Sequence, residues 1–436
     1  MSKKKFINYY NIPYLLVSDK NGNIFDCSNY LMTGKSFNET FVPDYEELID
    51  IPKNSKLFFL PETKPIGFDP VKKKFIIIDS ININNKKIEC FAVSAFLEPG
   101  YVRTYLPGAD YSNKKTVLPL WAYTATGIDE LGNIKVTAFR VEKNPKWDPD
   151  NYDDRELLPK IEKFQKLFPS NRLIKHLTKC AINYHCFAAK NLFLERWEAP
   201  LPISQACNAK CLGCLSDQEL HGACASHERI SFKPDIKEIS EIAIHHLEKA
   251  IDPMVSFGQG CEGEPLTESD LIISSIKEIR KNTLKGTINL NTNGSMPEKL
   301  LKIIKAGLDS VRISINSVIP ELYKQYYNPI NYDFLDVKKS IKIAKSNNIF
   351  TMINYLIFPG VSDTEEEYKE LRKFIYETNI DFIHFKNLCI DPSFYIKKIV
   401  KRKGINLGIR ALYELIKNEF PQLKIGYFNK NVNTSY

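Results

Sequence analysis

Three cysteines stand close together near the middle of the chain, Cys207, Cys211 and Cys214, in the run SQACNAKCLGC. Three thiolates on one short loop can hold three irons of a [4Fe-4S] cluster and leave the fourth iron without a protein ligand. A small molecule can bind that open iron and react there. The spacing therefore predicts a reactive cluster on a loop that follows an apolar, strand-like stretch at 197–203.

This Cys-x3-Cys-x2-Cys pattern resembles the signature of the radical S-adenosylmethionine (SAM) superfamily. The resemblance implies that the open iron binds the amino and carboxylate groups of SAM. It implies that an electron from the cluster cleaves SAM to a 5′-deoxyadenosyl radical, which abstracts a hydrogen atom from a substrate. The resemblance also implies a partial (β/α)6 barrel of the TIM type and a flavodoxin-type or ferredoxin-type reductant as partner. The sequence does not indicate the substrate.

Structural zinc is the alternative for the three cysteines. Zinc takes four ligands in such sites, and His221, Cys224 or His227 could complete a set of three cysteines and one histidine or of four cysteines. The rival hypothesis is therefore a zinc-stabilised protein that binds a protein or a nucleic acid, without SAM chemistry. The tight pitch of the three cysteines favours the cluster.

The composition of the chain indicates the cellular location and the classes of partner to expect. The chain has ten cysteines in 436 residues, no apolar core of a secretory signal near its start and no apolar run of about 18 residues. We therefore expect a cytoplasmic protein without a membrane partner, in which unpaired cysteines indicate metal binding or reactivity. The formal charge of +8 is a small excess of 60 basic over 52 acidic residues. The lysines form short, scattered runs, so nucleic acid is not indicated as a partner.

The periodicity of apolar residues divides the chain into four regions. Residues 1–150 contain short strand-like runs separated by turn residues and predict a β-rich N-terminal domain. Residues 151–194 have helical periodicity and predict a connector. Residues 195–400 alternate β-branched strands with amphipathic helices, which is typical of parallel β/α units. Residues 401–436 form a C-terminal extension.

The third region contains six predicted strands, at 197–203, 254–257, 287–290, 310–315, 351–358 and 382–385. Six β/α units agree with the partial (β/α)6 barrel that the resemblance implies, so the fold class is α/β. Functional residues of such barrels lie at the C-terminal ends of the strands. We therefore expect the site in the loops that follow the strands.

The loop after the second strand, FGQGCEGEP at 257–265, contains a literal G-x-G-x-x-G. A dinucleotide site is excluded because Glu262 and Glu264 would lie beside the pyrophosphate, and Pro265 stands where the helix should already have begun. The run resembles instead the glycine-glutamate motif of radical SAM enzymes, with Glu262 where the family usually has another glycine. The resemblance implies that Glu264 accepts hydrogen bonds from the SAM ammonium while Gly263 lets the backbone approach closely.

Further cofactor-binding residues are expected after the third and sixth strands and on the fourth. The third strand runs into Asn293, whose short polar side chain can bond ribose or carboxylate oxygens. Arg312 and Ser314 share one face of the fourth strand because side chains alternate along a strand. The resemblance implies that Arg312 pairs with the SAM carboxylate, that Ser314 bonds its ribose and that Leu388 packs on its adenine.

Two further cysteines, Cys261 and Cys389, follow the second and sixth strands and are the catalytic candidates. A thiol at the barrel mouth can give a hydrogen atom to a substrate radical or bind the substrate. The alternative is that both cysteines are small buried packing residues.

A second metal site is a weaker hypothesis for the helical connector. Cys180 and Cys186 are spaced along that stretch with His176 and His185. These residue types bind metals, although a packed or solvated role is the simpler interpretation of each.

Overall fold

The computed structural model describes residues 11–217, 225–400 and 404–432, and the chain divides into two compact units. The first unit comprises Met1–Lys143, Ile357–Lys369 and Lys386–Glu419. The second comprises Asn144–Leu356, Glu370–Phe385 and Phe420–Tyr436. The N-terminal region therefore forms one unit with the segments that follow the fifth and sixth strands of the core.

Strands dominate the N-terminal region, as predicted. They are β1 (Tyr14–Ser18), β2 (Ile24–Leu31), β3 (Gly34–Ser36), β4 (Glu39–Phe41), β5 (Leu48–Asp50), β6 (Lys56–Leu60), β7 (Lys64–Asp69), β8 (Lys74–Ile77), β9 (Ser80–Ile83), β10 (Lys86–Glu89), β11 (Phe91–Phe96), β12 (Tyr101–Arg103), β13 (Leu106–Pro107), β14 (Ala109–Asp110), β15 (Tyr123–Thr124), β16 (Thr126–Ile128) and β17 (Ile134–Arg140). Strands β1 and β2 are antiparallel, with Val17 opposite Phe25. Asp19 shapes their turn, because its carboxylate accepts from the backbone N–H groups of Asn21 and Asn23.

Helices make up the connector and alternate with the strands of the core. They are α1 (Asp154–Leu167), α2 (Arg172–Asn183), α3 (Phe187–Phe193), α4 (Ile236–Lys249), α5 (Ser269–Asn282), α6 (Pro297–Lys305), α7 (Pro320–Tyr327), α8 (Phe334–Ser346), α9 (Glu365–Thr378), α10 (Pro392–Lys398) and α11 (Ile409–Glu419). Helix α2 begins where the Asn171 side chain accepts from the backbone N–H of Ile174. In the described part of the chain, none of the helices has the length and apolar character needed to cross a membrane.

The core is a parallel sheet whose strands are adjacent in the order of the sequence. They are β18 (Arg196–Leu201), β19 (Ile251–Phe257), β20 (Thr287–Thr292), β21 (Ser310–Ile315), β22 (Phe350–Ile357), β23 (Phe382–Asn387) and β24 (Lys424–Gly426). The six predicted strands and the partial barrel are confirmed. Strand β24 was not predicted and lies in the segment that we expected to be an extension, where it pairs in parallel with β23.

The segment after β23 is part of the first unit. Arg103, which is fully buried, donates through its side chain to the carbonyl oxygen of Leu388 at 2.8 Å. The backbone N–H of Arg103 donates to Asn387 Oδ1 at 3.0 Å. Lys114 and Asp391 form a buried ion pair nearby. Leu388 and Cys389 therefore lie among residues of the N-terminal sheet.

Candidate functional site

The three-cysteine loop follows β18 and is held by the C-terminal end of α7 and the chain just after it. The backbone N–H of Leu212 donates to the carbonyl oxygen of Tyr326 at 2.9 Å, and that of Lys210 donates to Tyr327 at 3.0 Å. In return, the N–H of Ile330 donates to the carbonyl oxygen of Asn208 at 2.9 Å. These bonds fix the backbone on both sides of Cys211 without using its thiol.

The cysteine thiols of this loop are half-buried and close to one another. Burial raises the pKa of Cys207 to about 11, with further rises from Glu264 and Cys214. Burial also raises the pKa of Cys211 well above its usual value, and the Cys214 and Cys207 thiols add to that rise. Without a metal, Cys207 and Cys211 are therefore neutral. A side-chain nitrogen of Arg229 approaches Cys214 Sγ at 3.7 Å.

The loop after β19 is bonded directly to the cysteine loop. The backbone N–H of Gly263 donates to the carbonyl oxygen of Ser204 at 2.7 Å, and that of Glu264 donates to Ala206 at 2.8 Å. A Cβ atom on residue 263 would lie 2.0 Å from the carbonyl oxygen of Ala206. Only glycine allows this approach. The glycine of the glycine-glutamate motif therefore brings Glu264 beside the first cysteine.

Glu264 is buried, and most of its hydrogen-bonding capacity is used. Its carboxylate accepts from the backbone N–H of Leu266 at 3.0 Å, from that of Asn293 at 2.8 Å and from the Thr292 hydroxyl. An ionised carboxylate has about four acceptor positions, so about one remains for a ligand. Burial raises the pKa of Glu264 to about 7, and the three donors oppose that rise because they bond the charged form.

Glu262 has a role that the sequence did not reveal. One of its carboxylate oxygens accepts from the backbone N–H groups of Ile203 and Ser204 at 2.9 and 3.0 Å. The other accepts from those of Gly258 and Gln259 at 2.8 and 2.7 Å. Burial raises the pKa of Glu262 to about 7, and the four amides oppose that rise. Glu262 thus joins the two loops at the ends of β18 and β19.

Asn293 also positions the cysteine loop. Its side-chain amide donates to Asn208 Oδ1 at 2.9 Å, and its own oxygen accepts from the backbone N–H of Ser295 at 2.9 Å. Asn208 in turn donates to Ser295 Oγ at 2.8 Å. The end of β20 and the loop containing Cys207 therefore share one set of polar side chains.

Arg312 and Ser314 project from one face of β21, as their alternation predicted. Arg312 donates to Asn429 Oδ1 at 2.8 Å, while its buried Nε has no hydrogen-bond partner among the described residues. Ser314 accepts from the side-chain nitrogen of Asn354 at 3.3 Å. The buried oxygen of Asn354 likewise lacks a partner in the described part of the chain. Unsatisfied buried polar atoms are costly in a folded protein, so this face is suited to a polar ligand.

The remaining predicted residues lie in different surroundings. Leu388 and Cys389 belong to the first unit, where Cys389 Sγ donates to the carbonyl oxygen of Asn387 at 3.5 Å and burial raises the Cys389 pKa. Their proposed contacts with SAM and substrate stay predictions. Cys261 is buried in the second unit and lies beside Cys180 and His176 of α2. His221 and Cys224 are outside the described residues.

The residues present fit a [4Fe-4S] cluster with a small molecule beside it. The donor set is three thiols on one loop, which is the set that leaves one iron open. Gly263 lies directly before Glu264 and packs against Ala206, the residue that precedes Cys207. Any side chain at residue 263 would fill the space between them. The buried Glu264 carboxylate has about one acceptor position left. A cationic ammonium can donate a charge-assisted hydrogen bond to it.

Comparison with known proteins gives the same region. Residues 201–375 match the family model of the Radical SAM superfamily. GTP 3′,8-cyclase of Petrotoga mobilis is 26% identical over 239 residues, which are 53% of this chain and 65% of that protein. "Probable GTP 3′,8-cyclase" of Methanococcus maripaludis is 36% identical over 149 residues, which are 33% of this chain and 44% of that protein. The chain spans about half the length of these relatives.

Among solved structures, HydG, a maturase of the [FeFe]-hydrogenase, aligns with a TM-score of 0.39 and 16% identity. The alignment covers 63% of this chain and 63% of that one. A TM-score this low carries no argument about function.

Proposed function

We propose that this chain is an enzyme that reductively cleaves SAM. The premise is that the chain belongs to the radical SAM superfamily through its domain at 201–375. Its cofactors are a [4Fe-4S] cluster and SAM. The reaction continues with abstraction of a hydrogen atom from a substrate that the sequence does not identify. No observation favours the rival zinc-stabilised binding protein as the function of the three-cysteine loop.

When bound, the reduced cluster supplies the electron that splits SAM and generates the 5′-deoxyadenosyl radical. Cys207, Cys211 and Cys214 hold the cluster through their thiolates. Glu264 would accept from the SAM ammonium through its remaining acceptor position, and the unsatisfied Nε of Arg312 would donate to the SAM carboxylate. The buried surroundings of these side chains exclude water and strengthen both interactions.

One observation carries this proposal: the backbone bonds that join Gly263 and Glu264 to the residues immediately before Cys207. They bring the buried Glu264 carboxylate beside the loop of the three half-buried thiols, at the ends of two parallel strands. Asn293 directly follows β20, Ser314 lies on the neighbouring strand β21, and both belong to the proposed cofactor-binding set. Leu388 remains the candidate for packing on adenine, and Cys389 the candidate hydrogen-atom donor.

A reductant partner is implied by the family, and we propose one of the flavodoxin or ferredoxin type in a cytoplasmic setting. GTP is the first substrate to test because two of the similar proteins carry GTP 3′,8-cyclase in their names. Those proteins extend beyond the matched region, so GTP turnover is a separate question from SAM cleavage.

The test is anaerobic purification of Cys207→Ala, Cys211→Ala and Cys214→Ala beside the unaltered chain. Each variant is expected to lose the cluster, because two thiolates cannot fix a [4Fe-4S] cluster with one open iron. Iron and sulfide should fall from about four per chain, and 5′-deoxyadenosine formation with dithionite should be abolished. Cys27→Ala, at a buried cysteine of the first unit, is the control. Full iron and full 5′-deoxyadenosine in any one of the three loop variants would refute the assignment.

A further inference from the structure

A second group of metal-binding side chains lies between α2 and the loop after β19, and it is separate from the three-cysteine loop. His176 and Cys180 are four residues apart on α2 and therefore share one face of that helix. Cys261 comes from the loop, and all three residues belong to the second unit. One ligand atom from each lies within 4.8 Å of the others, and Cys180 Sγ is 3.6 Å from His176 Nε2.

We propose that His176, Cys180 and Cys261 bind one zinc ion, with His227 as its fourth ligand. Zinc has ligand bonds of about 2.0–2.3 Å in tetrahedral sites, which places the ligand atoms roughly 3.3–3.8 Å apart. The observed spacing is close to this range, so one ion fits after small side-chain movements. A Rieske-type [2Fe-2S] cluster places its histidines and cysteines on two different irons and needs a wider spacing.

His227 is assigned as the fourth ligand because its ring has an unsatisfied nitrogen and interacts electrostatically with Cys180 and His176; it lies outside the set of three whose ligand atoms are within 4.8 Å of one another. Its Nδ1 is buried and has no hydrogen-bond partner within the described residues. Burial lowers the pKa of His227, the Cys180 thiol raises it and the His176 ring lowers it, so His227 is within electrostatic reach of both side chains. The main chain at this residue is held in place, since the backbone N–H of His227 donates to the carbonyl oxygen of Leu215 at 3.1 Å.

The chemistry of the donor set selects the ion. Two sulfurs and two imidazole nitrogens suit zinc, whereas calcium and magnesium take oxygen ligands. Cys180 and Cys261 are 1% and 6% exposed, so neither is placed to react with bulk solvent. Both cysteines would bind zinc as thiolates, so any proton that either sulfur carries would be released to solvent on binding.

The ion would fasten α2 to the loop that carries the proposed SAM-binding carboxylate. Cys261 stands one residue before Glu262 and three before Glu264. The carbonyl oxygen of Cys261 already accepts from the backbone N–H of Ile230 at 2.8 Å. As a zinc ligand Cys261 would not be a hydrogen-atom donor, so this inference replaces its role as a catalytic candidate. It does not depend on SAM cleavage.

Metal analysis of the full chain, purified anaerobically without added zinc, tests the proposal. We expect about one zinc per chain in addition to the cluster iron. Cys180→Ser and Cys261→Ser should each lose the zinc, while Cys27→Ser keeps it. The triple Cys207, Cys211 and Cys214→Ala variant should lose iron and keep zinc, which separates this site from the cluster. Equal zinc in Cys180→Ser and the control would overturn the assignment.

A second measurement covers variants that fail to fold. Zinc is removed from the unaltered chain with a chelator, and Co²⁺ is titrated in its place. We expect uptake of one equivalent, with the visible bands of a tetrahedral cobalt–thiolate site. His227→Ala should alter those bands because one nitrogen ligand is replaced by water. The absence of both zinc and Co²⁺ uptake, iron at this site, or a Cys180–Cys261 disulfide in the anaerobic protein would each overturn the proposal.

Discussion

Replacement of Gly263 by alanine should separate the two loops that form the candidate site. The added Cβ would lie 2.0 Å from the carbonyl oxygen of Ala206, so the backbones must move apart by at least about 1 Å. The bonds from the N–H groups of residues 263 and 264, now 2.7 and 2.8 Å long, would then exceed bonding distance. Loss of two buried hydrogen bonds costs about 2–6 kcal/mol of local stability.

Hydrogen exchange measured by mass spectrometry reports this cost directly. A loss of about 2 kcal/mol raises the exchange rate of the amides of residues 263 and 264 by about 30-fold, and a larger loss raises it further. The same shift displaces Glu264 from the cysteine loop. Because a misplacement of about 1 Å can cost about 100-fold in rate, we expect 5′-deoxyadenosine formation to fall by about that factor.

Gly260→Ala is the matched control in the same loop. A Cβ there would lie 3.1 Å from the flexible end of Leu215, which can move aside. Both substitutions reduce the freedom of the unfolded chain to a similar extent, so that effect cancels in the comparison. Two results together would refute the reasoning. The amides of residues 263 and 264 would exchange at rates within about threefold of each other in the two variants, and Gly263→Ala would form 5′-deoxyadenosine at the unaltered rate.

Four further predictions concern two side chains, Glu264 and Cys389. Glu264→Gln should weaken SAM binding by about one to two decades in calorimetry, because one charge-assisted hydrogen bond is lost; unchanged affinity would move the role elsewhere. Since burial raises the Glu264 pKa to about 7, SAM affinity should increase as the pH rises through 7 and the carboxylate forms. The raised pKa also means that the folded chain holds a proton that the unfolded chain, with a pKa of about 4.3, has released. The stability that protonated Glu264 contributes is therefore fully present below pH ~4 and is lost as the pH rises to about 7. The thermal stability of the unaltered chain, measured relative to Glu264→Gln, should fall between pH 5 and pH 7. A rise over that interval would contradict this. Finally, Cys389→Ala should leave 5′-deoxyadenosine formation intact while product falls; full product would make Cys389 a packing residue.

The barrel strands could be predicted because each combines a β-branched apolar run with a following amphipathic helix. Strand β24 could not, since three residues, Lys424–Gly426, carry no period of their own and join the sheet only through β23. No local pattern in the sequence indicates that residues 386–419 belong to the first unit. That membership depends on contacts such as that of Arg103 with Leu388, which are 285 residues apart.

The candidate site shows the same limit. The spacing of the cysteines and the glycine-glutamate pair could be recognised locally, and so could His176 and Cys180 at one helical turn's separation. The approach of Cys261 to that pair depends on how α2 packs, which no short pattern encodes. Asn208 was likewise missed, because its bond to Asn293 spans 85 residues.

Glu262 stands where the radical SAM family usually has a glycine, and its hydrogen bonds show how the site accommodates a carboxylate there. The backbone turns away from β18 and β19 at Ile203, Ser204, Gly258 and Gln259, and their N–H groups all point at one buried place. A buried amide without a partner costs about 1–3 kcal/mol, and the Glu262 carboxylate accepts from the buried amides of Ile203 and Ser204 and from the part-buried amides of Gly258 and Gln259. A glycine could not satisfy them. Glu262 therefore stabilises the loops on which the cysteines and Glu264 depend, and substitutions there should impair both cluster retention and SAM binding, unlike substitutions at Glu264.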